Sequence, residues 1–266
     1  MFSLLRMLPL LGMLIWANGW AEQPNSDSGY RVAIVDKFYP PAEGFVSKQQ
    51  RSLHNWLYSM IDLDQDNERE PYYHGDLVQL IASTPQASFI HYPINSNGQP
   101  MQQILGNLQK ISTRMAVLPI DALILSWESS TLISAFEKPL RLQRAAAYKE
   151  KLQRWGEQQA SWRATHQIIE TLEQLVRQGV RVYTIAGNGG RGMVNTFSFA
   201  EGVITVGAQE AELKHFVADN AFVDLYEQAS YTITRVDDHN GQPIGYDIDG
   251  DGCSDIPLHR LTGAGN

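Results

Sequence analysis

Short runs of β-branched and aliphatic residues alternate along this chain with longer segments of helical periodicity. The first run, Tyr30–Asp36, is apolar over most of its length and ends at an aspartate. Continuous apolar runs of this kind are typical of parallel strands that are buried on both faces. Similar runs occur at residues 122–125, 180–186 and 202–207, with helical segments between them. This order predicts an α/β fold in which helices cover both faces of a parallel sheet.

The helical segments carry apolar residues at three- and four-residue spacing. They include residues 100–111 and a helix-rich stretch at residues 136–178. The first half of that stretch is charged and rich in glutamine. We therefore expect a helical insertion at about residues 136–165, within a single domain that spans residues 22–266.

The first 21 residues have the pattern of a secretory signal peptide. Arg6 supplies a positive start, residues 8–16 form an apolar core, and Gly19-Trp20-Ala21 fits a small-x-small cleavage site. The apolar core is shorter than the roughly 20 residues that a membrane-spanning helix needs. We therefore expect an exported protein, secreted or periplasmic, that has no stable membrane anchor after cleavage.

The net charge limits which partners the chain can bind, and the cysteine content limits how its fold can be stabilised. The formal net charge of -8 argues against sequence-independent binding of nucleic acid, which requires an excess of lysine and arginine. Because Cys253 is the only cysteine, no disulfide can form within the chain. Packing must therefore hold the fold together, and bound ions are a further means of stabilisation.

Polar residues stand where several of the predicted strands end. Asp36, Ser126 and Asn188 occupy such positions, and His74 opens a predicted buried helix. In open α/β sheets, ligand sites lie beyond the carboxyl ends of the strands, so these residues are candidates by position. Each also has an ordinary explanation, because aspartates cap turns, histidines serve structural roles, and Asn-Gly pairs form tight turns.

The order of these segments resembles that of the subtilase family of serine peptidases, from about residue 30 onward. Tyr30–Asp36 is similar to the strand that delivers the family's catalytic aspartate, and His74 with the following glycine is similar to the start of its catalytic-histidine helix. Residues 182–189 resemble the turn of the oxyanion-hole asparagine, and residues 202–208 resemble the Val-Ile-x-Val-Gly-Ala strand that follows. The resemblance implies a three-layer, subtilisin-like domain.

The resemblance also implies catalytic roles. A serine hydroxyl is a poor nucleophile at neutral pH, so a histidine must take its proton and an aspartate must hold the imidazole in the correct tautomer. His74 would be the base and Asp36 the orienting acid. Asn188 would donate to the oxyanion of the tetrahedral intermediate.

Substrate contacts are implied by a further segment. Residues 121–126 resemble the edge strand along which the family pairs the substrate backbone, which assigns Ser126, Trp127 and Glu128 to substrate binding. The expected partner is a peptide or protein substrate, and catalysis by this mechanism requires no cofactor.

The nucleophilic serine is the part of the resemblance that is missing. The family motif is of the type Leu-Ser-Gly-Thr-Ser-Met, and its nearest counterpart is Leu-Thr-Gly-Ala-Gly-Asn at residues 261–266, where Gly265 stands in the serine's place. Ser254 is a weaker alternative, since the acidic residues before it would oppose an oxyanion. His-Gly-Asp-Leu at residues 74–77 also departs from the usual His-Gly-Thr-His, because it adds a carboxylate near the base.

Two interpretations of the missing serine stay open. The domain is either a C-terminally incomplete copy of an active peptidase, truncated or frameshifted, or a pseudoenzyme that keeps the fold and binds extended peptides without cutting them. Ser126, Trp127 and Glu128 would then form the peptide-binding strand.

An acidic loop near the end of the chain has the spacing of a calcium site. Asp247, Asp249, Asp251 and Asp255, together with Gly252, match the first nine positions of a calcium-binding loop. Leucine stands at the twelfth position in place of the closing glutamate, so a structural calcium site and a solvated acidic turn are both open. A second acidic segment at residues 62–68 lacks the glycine, and we expect it to be a solvated loop.

Overall fold

The computed structural model describes residues 29–39, 60–63, 67, 69–95 and 98–257. The helices within this range are α1 (His74–Ala82), α2 (Pro100–Arg114), α3 (Ala145–Gln158) and α4 (Ala160–Arg177). The strands are β1 (Tyr30–Asp36), β2 (Ala87–Pro93), β3 (Ala122–Leu125), β4 (Ser130–Leu132), β5 (Arg181–Ile185), β6 (Met193–Asn195), β7 (Ile204–Ala208), β8 (Leu225–Glu227), β9 (Thr234–Asp237), β10 (Pro243–Asp247) and β11 (Ile256–Pro257).

Six of these strands form the central sheet, in the order β2-β1-β3-β5-β7-β8. Every neighbouring pair is parallel, so the carboxyl ends of all six strands lie along one rim. The predicted α/β class with a parallel sheet is confirmed. One part of the sequence interpretation is wrong, because β3 lies between β1 and β5, so residues 121–126 do not form an edge strand.

Side chains of β1 alternate between two apolar layers. Ala33 and Val35 pack in the layer that contains the buried faces of α2, α3 and α4. Val32 and Ile34 point to the opposite layer, where they share a cluster with Leu77 of α1. Because a strand is buried on both faces when helices cover both sides of the sheet, its sequence reads as one continuous apolar run.

The predicted insertion at residues 136–165 contributes to the core. Tyr148 and Leu152 of α3 are buried in the same cluster as the apolar stripe of α4. Helix α4 ends before Gly179, whose φ of +91° is a left-handed conformation that favours glycine at a helix C-terminus. That this segment is an insertion stays a prediction, but it packs as an integral part of the helical layer.

A three-stranded antiparallel sheet of β9, β10 and β11 lies on the α1 side of the central sheet. Tyr246 and Ile256 anchor it in that apolar cluster, and the Tyr246 hydroxyl donates to Glu70 Oε1 at 3.1 Å. The pairing of β4 with β6 forms another small sheet. None of the described helices is both long and apolar enough to cross a membrane.

Candidate active site

Asp36 and His74 form a buried pair at the carboxyl rim of the sheet. Asp36 is the last residue of β1 and His74 is the first residue of α1. Nδ1 of His74 lies 2.7 Å from Oδ2 of Asp36, and their exposed fractions are 4% and 0%. A carboxylate can only accept, so the imidazole donates from Nδ1, which leaves Nε2 as the atom suited to proton transfer.

The carboxylate of Asp36 is held in place by two further donors. Its Oδ1 accepts from the Lys37 amide at 2.7 Å and from Trp127 Nε1 at 3.2 Å. Three donors from three segments of the chain therefore fix the orientation of one buried carboxylate. A fixed carboxylate in turn fixes the tautomer and plane of the imidazole that it contacts.

Gly75 allows the start of α1 to lie close to the end of β1. Its amide donates to the Lys37 carbonyl at 2.8 Å. A Cβ at this position would lie 2.7 Å from that carbonyl oxygen and 2.8 Å from Cβ of Asp36. Any larger residue would push the start of the helix away from β1 and separate the histidine from the aspartate.

Asp76, the carboxylate expected near the base, caps the helix. Its Oδ2 accepts from the Tyr73 amide at 2.8 Å and from the Tyr39 amide at 2.9 Å. These bonds satisfy backbone donors at the start of α1, as carboxylates in first helical turns do. The departure from the family's usual His-Gly-Thr-His is therefore accommodated as a cap.

Asn188 lies at the same rim, beyond the end of β5. Its backbone amide donates to Oε2 of Glu128 at 2.8 Å. Its Oδ1 is buried without a hydrogen-bond partner, and its Nδ2 makes no hydrogen bond to any described residue. The side-chain amide is therefore free to donate to a group bound at the rim, as an oxyanion-hole asparagine must.

The segment after β3 links the pair to Asn188. Trp127 donates to Asp36, and the next residue, Glu128, accepts from Asn188. Ser126 is 3% exposed, and its buried hydroxyl has no hydrogen-bond partner among the described residues. The residues predicted to bind substrate thus lie between the other two parts of the candidate site, although β3 itself is an interior strand.

Asn195, which the sequence interpretation missed, ties this segment to the sheet. Its side chain is fully buried and donates to the carbonyls of Trp127 at 3.3 Å and Ile185 at 2.8 Å. Its Oδ1 accepts from the amides of Ser129 at 3.1 Å and Phe197 at 3.3 Å. The bonds to residues 127 and 129 hold the two peptide units that flank Glu128. The sequence offers one signal for Asn195, because asparagine is a preferred N-cap and this residue precedes a short helical turn.

A cavity of about 270 Å³ opens beyond β7 and β8. Its lining includes Ala208, Leu213, Ala218 and Tyr226. The Ala218 amide donates to the Gly187 carbonyl at 2.8 Å, so the cavity adjoins the turn that carries Asn188. The cavity is a recess large enough for a side chain, and it lies on the side of Asn188 away from the buried pair, since β3 and β5 stand between β1 and β7.

The acidic loop near residue 250 is only partly as predicted. Carboxylate oxygens of Asp247, Asp249 and Asp255 lie within 4.8 Å of one another. Asp251 is not in this group, and its Oδ1 accepts from the Cys253 amide at 2.7 Å. Its assignment as a metal ligand stays a prediction. Backbone donors from Gly250 and then Gly252 lower the pKa of Asp247, which keeps that carboxylate ionised.

The remaining candidates lie elsewhere or outside the described part of the chain. The Ser254 hydroxyl donates to the Ile256 carbonyl at 3.2 Å within the small antiparallel sheet. The predicted signal segment at residues 1–21 and the counterpart of the serine motif at residues 261–266 lie outside the described residues. The same holds for most of the second acidic segment, since residues 64–66 and 68 are not described.

No family of protein sequences matches this chain, and no curated protein matches it. Among solved structures, it is similar to the epidermin leader peptide processing serine protease of Staphylococcus aureus. That likeness has 13% identity and a TM-score of 0.46, and it covers 84% of this chain and 62% of the protease. Another similar structure is a sedolisin of Pseudomonas, a serine-carboxyl proteinase, with 13% identity and a TM-score of 0.35. That likeness covers 84% of this chain and 58% of the sedolisin chain.

A third similar structure is the prenylagaramide maturation protease, with 10% identity and a TM-score of 0.40. The likeness covers 73% of this chain and 59% of that protease. This chain spans between 58% and 62% of the length of these three proteases.

Proposed function

We propose that this chain carries the acid–base half of a subtilisin-like serine endopeptidase. The observation that supports the proposal is the buried contact of 2.7 Å between Asp36 and His74 at the carboxyl rim of a parallel sheet. In this arrangement His74 takes the proton of a serine hydroxyl as it attacks the peptide carbonyl, and later returns the proton to the leaving amine. Asp36 stabilises the imidazolium that forms in between.

Asn188 would complete this half of the site. Its side-chain nitrogen, which makes no hydrogen bond to a described residue, would donate to the oxyanion of the tetrahedral intermediate, an interaction worth about 10²–10³ in turnover in comparable sites. The serine itself would come from sequence outside the described residues. Export belongs to the same proposal, since residues 1–21 have the pattern of a signal peptide.

Labelling with a fluorophosphonate tests this proposal. The probe would be applied to the gene product translated to its natural stop codon, and the modified residue would be located by mass spectrometry. We expect labelling of one serine in a Gly-Thr-Ser type of motif downstream of the residues described here. Labelling at Ser254 would contradict it, because that hydroxyl is bonded within the small antiparallel sheet.

A second candidate function is peptide binding without cleavage. The observation that favours it is the position of residues 126–128 at the rim, between Asp36 and Asn188. An extended peptide can bind along such a segment, and this binding needs no nucleophile. A gene product that binds extended peptides and is not labelled by the fluorophosphonate would support this function over the first.

We also propose a structural calcium ion in the acidic loop. Calcium prefers carboxylate and carbonyl oxygens, and the convergence of Asp247, Asp249 and Asp255 provides a suitable donor set. Neighbouring glycines at positions 250 and 252 have positive φ angles, which the tight loop requires. The ion would reduce repulsion among the three carboxylates and would bind only the folded state.

Calcium is therefore expected to raise the melting temperature relative to a chelator. Asp249→Ala should abolish most of this rise, because it removes one of the three converging carboxylates. Asp251→Ala is the matched control and should keep most of the rise, since that carboxylate is not among the three that converge. Differential scanning calorimetry measures the effect, and equal melting temperatures of the unaltered protein in calcium and in chelator would rule the site out.

A further inference from the structure

Glu128 is a partly buried carboxylate at the centre of the candidate site. Its Oε2 accepts from the Ser130 hydroxyl at 2.7 Å and from the Asn188 amide at 2.8 Å. Its Oε1 makes no hydrogen bond to any described residue. One oxygen of the carboxylate is therefore anchored, and the other is available to a ligand.

The backbone around Glu128 is unusually well fixed. Asn195 accepts from the amide of residue 129 and donates to the carbonyl of residue 127. On the opposite side, a Cβ on Gly187 would lie only 2.6 Å from Oε2 of Glu128, so a glycine there makes room for the carboxylate. A side chain held by its neighbours in this way loses little conformational entropy when it binds a ligand.

The charge of Glu128 has no counter-ion among the described residues. None of the ion pairs found among the described residues includes Glu128. Its two partners, a hydroxyl and a backbone amide, are neutral. A partly buried carboxylate with one open oxygen and no cation beside it favours a cationic ligand, and a planar guanidinium suits a carboxylate best.

We infer that Glu128 selects peptides by binding a cationic side chain, arginine or lysine, through Oε1. This inference rests on the proposed function, because it takes the rim between Asp36 and Asn188 to be where a peptide lies. Trp127 and Glu128 are adjacent in the chain. The Trp127 indole contacts Asp36, and the Glu128 carboxylate contacts the Asn188 amide. The cationic residue would consequently be bound close to the bond that is held near His74.

Isothermal titration calorimetry with two peptides tests the inference on the chain as it exists. The peptides are acetylated alanine tetrapeptide amides that end either in arginine or in citrulline, which is its neutral isostere. The arginine peptide is expected to bind about tenfold or more tightly than the citrulline peptide, the range for hydrogen bonds that involve charged groups. Glu128→Gln should remove this preference, because glutamine keeps an oxygen for its two donors but loses the charge.

Glu201→Gln is the matched control, since it removes one exposed negative charge at another place on the surface. It should keep the preference for arginine. Equal binding of both peptides by the unaltered chain would overturn the inference without any variant. So would a preference that survives in Glu128→Gln, or failure of the arginine peptide to bind at about millimolar concentration. None of these results decides the acid–base proposal, which fluorophosphonate labelling tests separately.

Discussion

Replacing His74 by alanine is expected to lower the rate of fluorophosphonate labelling of the full gene product by about 10²–10⁴-fold, the usual contribution of a general base. The reason is that Asp36 has no other imidazole to orient among the described residues, so no group would take the serine proton. The rate is measured by quenching the labelling reaction at set times and quantifying the labelled protein by mass spectrometry. The melting temperature of the variant reports whether it is folded.

Asp36→Asn should lower the same rate about 10⁴-fold, although it changes little in volume. An amide in that position can present its nitrogen to Nδ1, and the imidazole is then held in the wrong tautomer. The effects of the two substitutions should not add, because both act on one proton transfer.

His239→Ala provides the control for the loss of a histidine. His239 is exposed in the turn between β9 and β10, and its ring contacts only Asn240 among the described residues. The labelling rate of the His239→Ala variant should match that of the unaltered protein. A folded His74→Ala variant that labels at an unchanged rate would refute the proposed role of the pair.

Asn195→Ala is expected to lower the free energy of unfolding by about 3–4 kcal/mol, at the upper end for a single substitution. The substitution leaves the carbonyls of Trp127 and Ile185 and the amide of Ser129 buried without their partner. Each such loss typically costs about 1–3 kcal/mol, and water entering the space left by the side chain offsets part of it. Urea unfolding followed by circular dichroism gives the value.

The exposed asparagine at position 240 offers a matched control. Asn240→Ala removes the same chemical group from a turn, and it should change the free energy of unfolding by no more than about 0.5 kcal/mol. A loss below about 1 kcal/mol in Asn195→Ala would mean that other donors replace the buried side chain. In that case Asn195 would not be what holds the segment around Glu128.

Much of the sheet and half of the site were predictable because they depend on local pattern. The apolar run of β1 could be read as a buried strand, since burial on both faces leaves no polar alternation. Asp36 was a candidate by position, because parallel strands bring their carboxyl ends to one rim. His74 opens α1, and its pairing with Asp36 was predicted from the resemblance to subtilases.

The other contacts were decided only by the tertiary structure. The indole of Trp127 reaches Asp36 across 91 positions in the sequence, and Asn195 reaches Trp127 across 68. Spacing predicted four carboxylates in the calcium loop, whereas oxygens of three, Asp247, Asp249 and Asp255, lie within 4.8 Å of one another. The predicted edge strand became an interior one, because the position of a strand in a sheet depends on which neighbours pair with it.

The sequence by itself determined the fold class, because hydrophobic periodicity and strand ends are local properties of the chain, and its resemblance to subtilases singled out Asp36 and His74 as candidates. Only the tertiary structure decided which donors fix Asp36, that Asn195 holds the peptide units beside Glu128, and that Glu128 has one open oxygen. These depend on hydrogen bonds between segments far apart in the chain. Such bonds form wherever packing brings a donor and an acceptor together, and no residue pattern near either partner specifies them.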